Sequence, residues 1–124
     1  MTKAHLPLLF LLLSLLACKQ YEEDLLSGTW RGSSILEANQ PLDIEPSNIK
    51  LILEPSGSYR YESTLNYQEA GTYFLDQQYL YTMDTINQAS TEKAVEIMLL
   101  TQDSLHLRMN EAGKERLLKM AREM

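Results

Sequence analysis

Cys18 is the only thiol in the 124-residue chain. It stands within Leu12–Asp24, LLSLLACKQYEED, between a leucine run and an acidic cluster. A thiolate is a nucleophile that takes up a covalent group, ligates a metal or pairs with a second thiol. One cysteine closes no internal disulfide. A metal site wants two or more His or Cys ligands at suitable spacing, and the only histidines are His5 and His106. Covalent modification is the chemistry that suits Cys18, and no metal is expected.

The other reactive residues form no catalytic pattern. His106 alternates with Leu105 and Leu107, which look buried, so it faces water. There is no Gly-rich phosphate loop and no His-Glu-x-x-His. The serines have no base at a recognisable spacing. Seventeen Asp and Glu are present, but no spacing selects a working pair. The expectation is a protein that is not an enzyme. The tyrosines remain. Six of the seven lie between Tyr59 and Tyr81. Tyrosine is a good strand residue with a polar tip. The same rings could instead line a concave wall with hydroxyl handles, suited to an apolar or amphipathic ligand. Tyr59, Tyr61 and Tyr73 are the candidate ligand-binding residues.

The leader explains where Cys18 sits. Lys3 supplies a positive start, and Leu6–Leu16 is apolar apart from Pro7 and Ser14. This run is too short to span a bilayer, which needs about 20 apolar residues. With the small Ala17 at its end it reads as a secretory signal peptide over residues 1–17. Leu15-Leu16-Ala17-Cys18 resembles the lipobox of bacterial lipoproteins. The resemblance implies diacylglycerol on the Cys18 thiol, cleavage before it, and attachment to a membrane through the acyl chains (palmitate and its kin). Glu22-Glu23-Asp24 is similar to the acidic stretch that follows the cysteine in surface lipoproteins of Bacteroidetes. Residues 18–27 are then a lipidated acidic tether. The expected address is the bacterial cell envelope, at the outer membrane, facing either the periplasm or the cell surface.

Without residues 1–17 the chain has 107 residues, enough for one domain, 28–124. Ten basic residues then face seventeen acidic ones, a formal charge of −7. That balance argues against nucleic acid as a partner. No disulfide staples the domain, so its own core must hold it.

Short alternating runs fill the domain. Strands are predicted from Gly28 to about Ala38, over Ile49–Glu54, Tyr59–Leu65, Gly71–Leu75, Tyr79–Asp84, Lys93–Thr101 and Ser104–Met109. Lys114–Glu123 reads as a strand, with a helix as the alternative. Asn39–Asn48 is a loop containing Pro41 and Pro46. Phe74 and Leu80 put apolar bulk on both faces of their hairpin. Either one face meets a partner, or the Asn39–Asn48 loop covers it with Leu42 and Ile44. About eight strands joined by tight turns predict an all-β fold, a small antiparallel up-and-down barrel.

Gly28-Thr29-Trp30 opens the first strand, Gly71-Thr72-Tyr73 precedes a hairpin, and Leu100-Thr101 to Leu107 lies near the end. Together they resemble the small lipocalin-like domains of Bacteroidetes lipoproteins. The resemblance implies that Gly28 and Trp30 form the closed end of the barrel. An arginine of the last strand, Arg122 or Arg116, would cover the indole. It implies binding of a small apolar or amphipathic molecule in the barrel mouth. The alternative is an interaction or accessory subunit, an inhibitor being one variant, that docks to another envelope protein.

Overall fold

The structure, a computed structural model, describes residues 21–87 and 91–124. Cys18 lies outside the described residues. A short helix, α1 (Glu23–Leu26), is followed by β1 (Gly28–Glu37), β2 (Gln40–Pro41), β3 (Lys50–Leu53), β4 (Ser58–Glu62) and β5 (Gln68–Asp76). Then come β6 (Tyr79–Asp84), β7 (Thr91–Leu100), β8 (Ser104–Glu111) and β9 (Lys114–Arg122).

Every neighbouring pair is antiparallel, in the order β1-β3-β4-β5-β6-β7-β8-β9, and β9 pairs back onto β1. Eight strands therefore close an up-and-down barrel, as the alternating runs predict. Closure leaves no long unpaired edge. The two-residue β2 is an addition, paired with the far end of β1 where β3 does not reach. The ambiguous Lys114–Glu123 segment is the closing strand, β9. Its helix-forming residues are overruled because β1 and β8 both pair with it.

Two β-bulges shape the wall. One falls between Gly32 and Ser34 in β1, the other between Ile97 and Leu99 in β7. An extra residue reverses the parity of a strand, so Trp30 and Ile35 both point inward, as do Ile97 and Leu100. The interior is solid from one end upward. Trp30, Leu53, Leu80, Ile97, Leu105, Leu118 and Met120 are each 2% exposed or less, so no void the size of a water molecule adjoins them.

That end is closed by α1. The sequence assigns residues 23–26 to a tether, yet Leu26 is fully buried, and Leu25 and Tyr21 pack against the core beside it. Trp30 is 0% exposed and its indole N–H donates to the Leu26 carbonyl at 2.9 Å. The Arg122 guanidinium lies 4.2 Å from the centre of the indole ring. It also donates to the carbonyls of Ser27, Leu25 and Gln102. A cation–π contact of this kind contributes about 0.5–2 kcal/mol.

Candidate functional site

The strands place the candidate tyrosines at different heights. Tyr59 and Tyr61 both point inward from β4, two residues apart, as strand geometry demands. Tyr73 points inward from β5, but its hydroxyl donates to the Glu54 carbonyl at 2.7 Å, beside the β3–β4 turn at the closed end. The expected single wall of Tyr59, Tyr61 and Tyr73 is thus divided. Tyr59 and Tyr61 instead meet Tyr67, which the sequence did not single out, around Glu69.

Glu69 is 5% exposed and faces inward opposite Tyr61. Its carboxylate accepts from the Tyr59 hydroxyl at 3.0 Å, the Tyr67 hydroxyl at 2.5 Å and the Lys93 ammonium at 2.5 Å. Three donors satisfy a charge that would otherwise be too costly to bury. Tyr61 packs edge-on against Tyr67 with ring centres 6.3 Å apart.

The electrostatics keep the three phenols and the Lys93 ammonium protonated. Burial, then the bond to Glu69, pushes the Tyr59 hydroxyl far up. Burial raises Tyr61, and the bond to Glu69 followed by burial raises Tyr67. Burial would lower Lys93, but the bond and charge of Glu69 outweigh it and the ammonium is raised. None of these phenols is poised as a base or nucleophile near neutral pH.

Above this cluster two turns form part of the open rim. The β4–β5 connection contains a single 3-10 turn, Thr64–Asn66, in which Leu65 and Asn66 both adopt left-handed backbone (φ +60°). A leucine held there costs about 1–2 kcal/mol. Its side chain is 98% exposed. The β6–β7 turn begins at Asp84, a buried carboxylate that accepts from the backbone N–H groups of Ala70 and Ile86 and the side chain of Asn87. Burial would raise the Asp84 carboxyl, but these bonds prevail and hold it lower than usual. Asn87 also donates to the Gln68 carbonyl at 3.0 Å, joining the two turns. Leu65, Tyr67 and Ile86 stand exposed on these turns.

The outer wall carries a second aromatic group. Phe74 and Tyr81 stack with ring centres 4.8 Å apart, and Tyr79 stands 6.5 Å from Tyr81. Phe74 is 50% exposed, so the Asn39–Asn48 loop does not cover this hairpin. That loop turns back on β1, where Leu42 bonds to the Ile35 carbonyl and packs against the core. Beside the aromatic group lies a shallow depression of about 330 Å³. Tyr79, Glu96, Arg108 and Glu115 line it. Arg108 bridges Glu96 and Glu115, so the charges there largely satisfy one another.

His106 lies on the outward face of β8, between the buried Leu105 and Leu107. Burial, then the nearby Lys119, lowers its imidazole pKa. Among the described residues no three His, Cys, Asp or Glu side chains come together to hold a metal ion. Tyr67, Glu69 and Lys93 are the residues that sequence reading missed. The signal of Glu69 and Lys93 is faint: polar residues at inward positions of otherwise apolar strands.

Comparison with known protein families returns no match. None of the curated proteins matches the chain in sequence. Among solved structures, the barrel is similar to the crystal structure of a lipocalin-like protein from Bacteroides uniformis. The TM-score is 0.58 at 14% identity, over 81% of this chain and 99% of that one. The likeness is one of fold: this chain is a lipocalin-like eight-stranded barrel.

Proposed function

We propose that this protein is a non-catalytic interaction module, tethered to the bacterial envelope by lipid on Cys18, that meets its partner through its surface rather than carrying a small molecule inside. The filled interior supports this reading. An eight-stranded barrel has room for its own side chains or for one small ligand. Here Trp30, Tyr59 and a shell of Leu, Ile and Met take that space. The exposed apolar side chains instead stand on the rim and the outer wall.

The helix α1 and all the strands lie within residues 23–122, so the chain from Lys19 onward contains every strand of the barrel. An anilinonaphthalene sulfonate probe added to that chain is expected to show no saturable one-to-one binding. Saturable binding that Tyr61→Ala removes without unfolding the protein would overturn the proposal and make ligand carriage the function.

The tether has its own test. Cys18→Ser is expected to abolish incorporation of radiolabelled palmitate and to release the protein from the membrane fraction. A mutant labelled as strongly as the wild type would mean that lipid is not carried on Cys18.

A further inference from the structure

We propose that the open rim formed by Leu65, Tyr67 and Ile86 is the docking face for a protein surface that is both basic and apolar. Its orientation follows from the short stretch of chain between Cys18 and α1, and this step rests on the proposed Cys18 tether. Tyr21 leads directly into α1, which seals the closed end. The three residues from Cys18 to Tyr21 reach at most about 10 Å. The closed end therefore sits beside the anchoring bilayer. Strands of about eight residues, rising ~3.3 Å each and tilted ~40°, put the open rim about 20 Å further out. Neither that bilayer nor the short tether reaches the rim.

The charges at the rim select the partner. Its basic groups are already engaged: Lys93 with Glu69, and Arg116 and Lys114 with Glu37. The carboxylates of Glu92 and Glu111 are in no ion pair among the described residues. Glu111 acts electrostatically on both Lys93 and Tyr61, which places it at the same mouth. An anionic lipid surface or an acidic protein would be repelled here, and a basic one drawn in. The apolar contacts are ready-made. Asp84 holds the backbone N–H of Ile86, and Glu69 holds the hydroxyl of Tyr67. A rigid apolar group pays little ordering entropy when it is covered.

The test uses the chain from Lys19 onward and a short fluorescent peptide of lysine and leucine, with a glutamate–leucine peptide as its counterpart. The lysine peptide is expected to bind saturably and to weaken as salt rises. Leu65→Ser with Ile86→Ser is expected to weaken it about tenfold or more, while Phe74→Ser on the outer wall leaves it unchanged. No saturable binding, equal binding of the glutamate peptide, or indifference to the rim pair would overturn the proposal. Two other outcomes would assign the rim elsewhere and overturn it too. One is rim-dependent binding to phosphatidylglycerol vesicles, the other rim-dependent self-association of the chain. None of these readings requires lipid on Cys18, so failure of the docking face and failure of the tether are told apart.

Discussion

Trp30→Ala is expected to lower the unfolding free energy of the barrel by about 3–5 kcal/mol, the usual loss for a large buried aromatic. The indole is fully buried and joins three pieces of structure. It packs into the barrel, bonds to the Leu26 carbonyl of α1 at 2.9 Å, and lies under Arg122. Alanine opens a cavity that stiff strands cannot close. It also leaves the guanidinium above a void and the Leu26 carbonyl without its indole donor. Domains of this size hold only about 5–15 kcal/mol in total, so the variant sits near the edge of folding. Denaturant titration of the chain from Lys19 onward measures the loss. Arg122→Ala should cost less, because the ring stays in place. A loss below about 1 kcal/mol for Trp30→Ala would show that the closed end is not part of the cooperative core.

Gly71→Ala is expected to destabilise the barrel by about 1–3 kcal/mol, or more if β6 cannot shift. A methyl group at Gly71 would stand 1.9 Å from the Met83 carbonyl oxygen and 3.0 Å from its carbon. Both are backbone atoms of β6, the strand that pairs with β5. No side chain can rotate away, so a strand must move. That strand carries Asp84 at the base of the rim turn, so the clash disturbs Ile86 as well as the core. Thr72→Ala next door is the control. Thr72 is exposed, and surface changes usually stay within about 0.5 kcal/mol. Thermal melts of the two variants decide the point. Equal midpoints would mean that β6 yields freely to the methyl group.

The pattern of the chain carries most of the fold. Short alternating runs separated by Pro55-Ser56-Gly57, Gln77-Gln78 and Ala112-Gly113 dictate antiparallel hairpins, because strand periodicity and tight turns are local properties. The Gly28-x-Trp30 start and an arginine in the last strand were legible only through the resemblance to lipocalin-like domains. Choosing Arg122 over Arg116 needed the register of β9 on β1, where Trp30 stands opposite Arg122 and Glu37 opposite Arg116.

The site was much less legible. Alternation places Tyr59 and Tyr61 on one face, but it cannot say at which height of the barrel each ring ends. That depends on strand stagger, which sends Tyr73 to the closed end and brings Tyr59 and Lys93 to Glu69. A glutamate at an inward strand position reads as a misplaced surface residue until its partners are known. Its three donors come from β4, from the β4–β5 connection and from β7, and the sequence distance to Lys93 is 24 residues. The bulges add a second break, since each reverses inward and outward within one run and hides Ile35 from a strict period of two. By itself the sequence determined strands, turns, charge and an all-β class, because these follow from neighbours a few residues apart. Only the tertiary structure decided which side chains fill the interior, which surround the buried carboxylate and which stand on the rim, because barrel closure, stagger and bulges are set by contacts between strands far apart in the chain.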